Sequence, residues 1–559
     1  MNRVKSGQCV SWRISTQLIL TAAVLSLGLR AGAELVNTKL NGPLVTGGNV
    51  FSYRISDDSR WVVYAADQET DEARDIFSVP IDGGVPVRLN AALPAGVAVL
   101  QYGISPDSKR VVYAATQNSL TVTDMYSVPI QGPAAAATQI NISVSSGFGV
   151  GMFQISPDNS RVCYVTALDL GAPLTLYSVP LNGPASASIP LTDLIEGSSI
   201  SVQALIITPD SSRVVFRGYD WAQSASALFS VPIEGPASAA VRISEFLPPG
   251  AQLYQFEISP DGSRVVYLVE QITLNVRELF SAAVAGPPGD AVRLNTLLPI
   301  NGTINHFEIS PDSSAVVYSG RQSTANFIEL YSVPPAGPAA AGVKLNKTLP
   351  AGGHVYDFAI SPNSDVVAYR AEQDTDDVIE VYRVPLHGPA SSGVKISDTI
   401  VAGGFVSRMD ISPDGPRLVY VADMETAGDF DLYSVPLFGP ATARVELSPT
   451  GGLLFNGDVL DFDISPDGSR VLYRGVVVFI FPTFEEKKSL YSVPVEGPGN
   501  ASVLMNGLLA AEGDVSLTYG FTPDSHRAVY IADQDTNDVF ELYVSYDRPT
   551  AAQTWNLYR

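Results

Sequence analysis

Charged side chains gather at two positions just upstream of a recurring Ile-Ser-Pro-Asp segment. Unpaired charge is costly in a buried strand, so these positions are expected to face water or a ligand. Such a set can bind a cation or a polar ligand, and its carboxylates can serve a polysaccharide lyase or hydrolase. Directly before the Ile stand Arg54, Glu257, Glu308, Asp410 and Asp463, and two residues earlier stand His306, Asp357, Arg408 and Asp461. We predict as ligand-binding residues His306, Glu308, Asp357, Arg408, Asp410, Asp461 and Asp463.

Motifs of known catalytic sites are missing from the chain. It contains no G-x-S-x-G, no H-E-x-x-H, no phosphate loop and no paired cysteine ligands. The histidines His306, His354, His387 and His526 fall at different positions of the repeat described below. Cys163 stands where other copies have Val, which favours a small buried apolar residue. The sequence therefore predicts no catalytic residue and no cofactor.

Calcium is the one ion that the sequence suggests. Acidic loops occupy residues 66–75, 371–380, 422–431 and 532–541. In the last of them, Asp533, Asp535 and Asn537 have the spacing that begins a calcium-binding loop. Asp538 stands where such a loop needs Gly, and Val544 stands where it needs Glu. Solvated hairpin loops are therefore the favoured interpretation, with calcium binding as the alternative.

The elements that must position these residues come from a repeat of about 51 residues. Ten copies of a segment such as "ISPDGSRVVY" (258–267) run from 55–64 to 521–530. Its Pro presets the first corner of a tight turn, and its Asp accepts a backbone hydrogen bond. Each unit predicts four strands: one that ends at the Ile, then segments such as "RVVYLVE", "ELYSVPI" and "VRLN". Pro, Gly and β-branched residues interrupt every window that might favour a helix.

Four short antiparallel strands repeated with one period describe the blades of a β-propeller. The pattern "ISPDGSRVVY…ELYSVP…VRLN" resembles the WD40-like repeat of the TolB-type β-propellers, the PD40 repeat, over residues 34–549. The resemblance implies the fold, in which the first strand of each blade lines a central channel, and it implies no chemistry. Peptidases with similar propellers carry a separate α/β-hydrolase domain, for which these repeats leave no room.

We predict an all-β fold in which about ten four-stranded blades form a single ring, with two smaller propellers as the alternative. The segment "ELVNTKLN" (34–41) matches the fourth strand of a unit, and the last unit ends after its third strand, "FELYVSY" (540–546). The N-terminal strand can therefore complete the last blade and remove a bare sheet edge. Residues 550–559 are expected to form a C-terminal tail. The connectors between third and fourth strands keep one length in most units, so none marks a domain linker.

The first 33 residues have the form of a secretory signal peptide. Basic residues precede an apolar run over 18–29, and Ala31 and Ala33 stand before the predicted cut. This run is too short to span a bilayer. We therefore expect a periplasmic or secreted protein without membrane insertion. A formal net charge of −23 disfavours nucleic acid as a partner.

Each propeller has two faces with different loops. The turn after the first strand and the "GPA" connector lie on one face, called the turn face below, and the other loops lie on the loop face. The loop face varies in sequence, as binding surfaces on rigid scaffolds do. The ninth unit adds there a long apolar loop (474–488), which is either a partner contact or an extended strand. We expect a non-catalytic binding or scaffold module that engages a protein or a polar or glycan ligand. The sequence does not indicate an oligomeric state. A polysaccharide lyase or hydrolase is the alternative.

Overall fold

The computed structural model describes residues 37–546 except 120, 145–148, 170, 193–199, 288, 450–457 and 480–484. The predicted signal peptide and C-terminal tail lie outside the described residues. Forty strands form ten antiparallel four-stranded sheets, which are the blades of one ring. The predicted all-β propeller is therefore confirmed, and the alternative of two smaller propellers is wrong. Among the residues described, no helix is long and apolar enough to cross a membrane.

The blades are numbered 1 to 10 in chain order, and within each blade the strands run from the channel outward. The inner strands are Val50–Ile55, Val99–Ile104, Met152–Ile155, Ile200–Ile207, Leu253–Ile258, Ile304–Ile309, Val355–Ile360, Val406–Ile411, Val459–Ile464 and Val515–Phe521. The second strands are Trp61–Ala66, Arg110–Ala115, Arg161–Thr166, Arg213–Asp220, Arg264–Val269, Val316–Gly320, Val366–Ala371, Arg417–Ala422, Arg470–Phe479 and Arg527–Ala532.

The third strands are Asp75–Pro80, Asp124–Pro129, Thr175–Pro180, Ala225–Pro232, Glu278–Ala283, Glu329–Val333, Glu380–Pro385, Asp431–Pro436, Glu485–Pro494 and Glu541–Tyr546. The outer strands are Val87–Arg88, Thr138–Gln139, Ile189–Pro190, Val241–Arg242, Val292–Arg293, Val343–Lys344, Val394–Lys395, Val445–Glu446, Val503–Leu504 and, for blade 10, Asn37–Lys39. Short 3-10 helices in the connectors are Ala134–Ala136, Ala185–Ala187, Ala237–Ala239, Ala339–Ala341, Ala390–Ser392, Ala441–Ala443 and Gly499–Ala501.

Two recurring contacts explain the repeated letters of the motif. The aromatic residue of the second strand stacks on that of the third, as Tyr113 does on Tyr126 at a centroid distance of 5.1 Å. The Arg that starts most second strands donates from Nε to the Ser of the third strand, as Arg110 does to Ser127 at 2.8 Å. The stacked pair is present in all ten blades, and the Arg–Ser bond is present in six of them.

The core is divided among the gaps between blades. One buried apolar cluster fills each of the ten gaps between neighbouring blades. The cluster between blades 10 and 1 includes Leu40, Val50, Tyr64, Val529 and Leu542. Since a four-stranded sheet cannot cover its own two faces, this circular sandwich supplies the burial that stabilises it.

A hydrogen bond between tight turns of the turn face links seven of the ten pairs of neighbouring blades. In blade 1 the backbone N–H of Asp58 donates to Ser108 Oγ of blade 2 at 3.1 Å. The same bond links blades 2–3, 3–4, 5–6, 6–7 and 9–10. It also closes the circle, because Asp524 N–H of blade 10 donates to Ser59 Oγ of blade 1 at 3.0 Å.

The N-terminal strand completes blade 10. Asn37–Lys39 pairs antiparallel with Tyr543, Val544 and Ser545. Leu40 is buried beside this pairing, and the carboxylate of Glu541 accepts a bond from Lys39 at 2.8 Å. The two ends of the described chain therefore hold each other in one sheet.

Candidate functional site in the channel and on the loop face

A β-bulge in the inner strand decides which side chains face the channel. In blade 1, Val50 pairs with Ala66 and Ser52 pairs with Ala65, so Phe51 between them has no partner. A register shift at this place recurs in every blade except blade 3. Because the bulge changes the phase of alternation, the extra residue is exposed at the loop-face mouth of the channel in seven of these nine blades and half-buried in the other two.

The bulge residues of six blades form a collar of exposed apolar side chains at this mouth. Their exposed fractions run from 40% for Leu460 to 77% for Leu517. Two tyrosines of the collar are fixed by acids, since Tyr254 donates to Glu270 and Tyr356 donates to Glu372 at 2.9 Å. The collar comprises Phe51, Leu100, Tyr254, Tyr356, Leu460 and Leu517.

Arginines lie over two collar rings. The Arg74 guanidinium is 4.1 Å from the ring centre of Phe51, and that of Arg277 is 5.4 Å from Tyr254. Such contacts hold an aromatic ring in place while its other side stays available. The collar therefore combines apolar area with nearby charge, as the centres of protein interfaces do.

The other exposed large apolar side chains concentrate on the same face. Loops of the loop face carry Leu168, Trp221, Phe246, Ile272, Leu274, Leu297, Ile300 and Leu508. In the connectors of the turn face, the described residues of this kind are Val85 and Phe438. The two faces thus differ sharply in exposed apolar surface, and the loop face is the one suited to binding.

Two of the predicted ligand-binding residues are engaged in ion pairs. Asp357 accepts two bonds of 2.7 Å from Arg370, whose Nη1 also donates to the carbonyl of Val406 in blade 8 at 2.7 Å. Asp461 pairs in the same way with Arg474, which reaches Val515 of blade 10 at 3.0 Å. These aspartates orient arginines that link neighbouring blades, so they act as structural clamps.

The remaining predicted residues are exposed or half-buried positions of the inner strands. His306 Nε2 lies 3.6 Å from Glu308 Oε1, and Arg408 lies over the Phe462 ring of the next blade at 4.8 Å. Asp410 and Asp463 are exposed to the channel on blades 8 and 9. The structure therefore brings His306 and Glu308 together on one strand, and it sets Arg408 over a ring and near enough to Asp410 and Asp463 to oppose the rise of both pKa values.

Burial and neighbouring charges shift several pKa values in the channel. The adjacent carboxylate of Glu308 raises the pKa of His306, and burial raises the pKa of Glu257. Burial also raises the pKa of Asp410, and Glu308 adds to that shift while Arg408 opposes it. The pKa of Asp463 is raised by burial as well. Carboxylates of different blades therefore repel one another in the channel and add to these shifts.

The acidic loops use their first aspartates to fix the backbone. Asp533 accepts from the N–H groups of Asp514 at 2.6 Å and Asp538 at 3.0 Å. Asp423 likewise accepts from Gly428 at 2.8 Å. Within the described part of the chain, no group of three or more His, Cys, Asp or Glu side chains could hold a metal ion. Calcium binding stays a prediction. The carboxylate oxygens of Asp423 and Asp533 already accept hydrogen bonds from backbone N–H groups.

The two other features singled out in the sequence serve the fold. His354 Nδ1 accepts the Ile328 N–H at 3.2 Å, and Cys163 is fully buried.

The ninth unit forms the long hairpin Arg470–Phe479 and Glu485–Pro494, whose tip lies outside the described residues. Its Lys488 bonds to Asp514 at 2.6 Å, so the extended-strand interpretation describes its base.

Sequence reasoning missed the collar. If side chains alternated strictly along the inner strand, the residue four positions before the Ile would point into the gap between blades and not into the channel. A signal was present, since Phe, Leu or Tyr stands at that position in six units. Only the bulge, which inserts one residue, turns these side chains outward.

Solved structures that match the chain include prolyl peptidases. A prolyl endopeptidase matches with 14% identity and a TM-score of 0.37, over 69% of this chain and 54% of that chain. Prolyl oligopeptidase B from Galerina marginata matches with 11% identity and a TM-score of 0.37, over 68% of this chain and 56% of that chain. This chain thus spans only about half of their length, and at this similarity the comparison assigns it no activity. No family model and no curated protein matches it.

Proposed function

We propose that this protein is an exported, non-catalytic binding propeller of the TolB-like, PD40 type, which engages a protein partner with its loop face. Export rests on the signal-peptide form of residues 1–33 and implies a periplasmic or extracellular site of action. The family assignment rests on the repeat pattern and agrees with the ring of ten blades.

The observation that carries the proposal is the apolar collar together with the exposed loop-face side chains. Monomeric proteins expose few large apolar patches, and such patches mark interaction surfaces. The collar residues stand at bulges of the inner strands, and the strand residues on both sides of each bulge pair with the second strand. An apolar collar with acidic neighbours suits a protein surface that carries apolar and basic side chains.

Site-directed photo-crosslinking tests this proposal. A photoreactive phenylalanine analogue is placed at Leu100 or Tyr356 on the collar, and at Val85 or Phe438 on the turn face as matched exposed controls. After irradiation in the native envelope, the collar positions should yield one shared crosslinked protein, and the turn-face positions should not. Equal labelling from both faces, or labelling from neither, would contradict the proposal.

The lyase or hydrolase alternative has its own outcome. Glu257 has a raised pKa and lies near Glu308, a pairing that general acid catalysis can use. Turnover of an anionic or neutral glycan that is lost in Glu257→Gln would replace the binding proposal with this one. A glycan that binds without turnover and competes with the crosslink would identify a polar envelope component as the ligand.

A further inference from the structure

Three blades carry an arginine after the aromatic residue of the second strand. In each, the arginine pairs across the ladder with one inner-strand residue. Arg370 faces Asp357 and Arg474 faces Asp461, whereas Arg217 of blade 4 faces Ala204. Blade 4 therefore has the same arginine without the carboxylate that accompanies it in blades 7 and 9.

Arg217 is nevertheless held in the same pose as its counterparts. Its Nη1 donates to the carbonyls of Leu253 at 2.7 Å and Tyr254 at 3.1 Å in blade 5. Arg370 makes the same pair of bonds to Val406 and Ser407 of blade 8. In blade 7 the Nε and Nη2 edge of the guanidinium binds Asp357, but in blade 4 the buried Nε has no hydrogen-bond partner. An unpaired buried donor of a charged group is costly, so a carboxylate placed beside this guanidinium, as Asp357 is in blade 7, would be stabilising.

Arg217 also lines a cavity on the loop face. The cavity has a volume of about 510 Å³ and is open to solvent at the channel mouth, within the range of about 300–1,000 Å³ that is usual for ligand sites. Its walls include Met152, Leu174, Leu253 and the collar residue Tyr254, with the amides of Gln203 and Gln252 beside them. Apolar walls next to an arginine fork suit a carboxylate that is attached to an apolar group.

We propose that Arg217 binds the C-terminal carboxylate of a partner polypeptide whose last side chain is apolar. The carboxylate occupies the place that Asp357 fills in blade 7, and the last side chain packs against Met152 and Leu174. Gln203 and Gln252 offer amide groups to the backbone of the preceding residues. This inference rests on the proposed protein-binding function of the loop face and names the part of the partner that is bound.

A peptide array tests the proposal with the folded protein. The array carries tetrapeptides with each of the twenty residues at the last position, once as the free acid and once as the amide. We expect binding to free acids that end in apolar residues, and at least tenfold weaker binding to the matching amides. Free acids that bind no better than amides would overturn the proposal, as would binding of glucuronate or short fatty acids with no peptide binding.

Three variants separate the site from general stability. Ala204→Asp should supply the missing carboxylate from within, so the melting temperature should stay level or rise while peptide binding is lost. Arg217→Met should also lose binding, whereas Arg370→Met should keep binding although it weakens blade 7. Undiminished binding in folded Ala204→Asp would contradict the assignment. If crosslinks form at Leu100 but the protein binds free acids no better than amides, only the Arg217 proposal fails. If the protein binds peptides but no loop-face position yields a crosslink, the proposal that a native protein partner binds the loop face fails instead.

Discussion

Single residues in the tight turns connect the blades. The fourth turn position has a positive φ, 60° for Ser108, a conformation that costs a non-glycine residue about 1–2 kcal/mol. Where Ser or Asn occupies it, the side chain accepts the N–H of the preceding blade's Asp. In blade 5 the position is Gly262, which relieves the strain and forms no such bond. Serine at this position therefore adds local backbone strain but forms a hydrogen bond that links two blades.

Replacing this serine in two ways separates these two effects. Ser108→Ala keeps the strain and removes the acceptor, and we expect a loss of about 1 kcal/mol in unfolding free energy. Ser108→Gly also loses the bond but relieves the strain, so it should be close to neutral. Thermal unfolding of both variants measures the difference. Equal melting temperatures of Ser108→Ala and Ser108→Gly would show that the positive φ does not destabilise the protein at this position.

Glu446 provides a pH-dependent contribution to stability. Burial, with Asp431 and Glu425 nearby, raises the pKa of Glu446 to about 7. A raised pKa means that the fold disfavours the carboxylate, so stability rises as pH falls through 7 and is lower at pH 8. Glu446→Gln should therefore melt higher than the wild type at pH 8, by on the order of 1 °C, with a smaller difference at pH 5.5.

Asp312 gives the matched control for that comparison. Against the effect of burial, hydrogen bonds from Ser310 and Ser314 hold the pKa of Asp312 at about 2. Its stabilising effect is present throughout pH 5.5–8 and is lost only as pH falls toward 2. Asp312→Asn should therefore lower the melting temperature equally at both pH values. A wild-type pH profile unchanged in Glu446→Gln would contradict the assignment to Glu446.

At the scale of the strand, neighbouring aspartates of one inner strand have opposite roles. Asp461 and Arg474 are 16% and 6% exposed and form the clamp to blade 10. Asp463, two residues on, faces the channel with a raised pKa. Asp461→Asn leaves a buried guanidinium without its counterion and should cost about 2–3 kcal/mol of stability. Asp463→Asn should be neutral or slightly stabilising, and chemical denaturation of the pair measures both.

Much of each blade was predictable because turns and alternation are local. The Ile before the turn ends nine of the inner strands, and the aromatic and serine positions of the motif form the stacked pairs and Arg–Ser bonds. The bulge was not predictable, since it depends on how the inner strand pairs at the crowded channel mouth. Nor was the role of Asp357, because its partner Arg370 stands on another strand and reaches a further blade.

At the scale of the molecule, ring closure depends on the N-terminal strand. Removing it bares the edge of the strand Glu541–Tyr546 and uncovers the cluster to which Leu40 belongs. A chain that begins at residue 43 should melt several degrees lower than one that begins at residue 34, and it should self-associate through the open edge. Scattering and calorimetry of the two chains compare them directly. Identical melting temperatures would mean that the strand adds nothing to closure.

The single ring is tested most directly by a disulfide across the closing strands. Asn37 and Ser545 lie opposite each other in the ladder of blade 10, and the native Cys163 is buried. In a chain with Asn37→Cys and Ser545→Cys, mild oxidation should join the two residues within one monomer, as peptide mapping by mass spectrometry would show. A monomer in which both cysteines stay free, or in which residue 37 is joined only to a second molecule, would contradict a ring that closes between its first and last units.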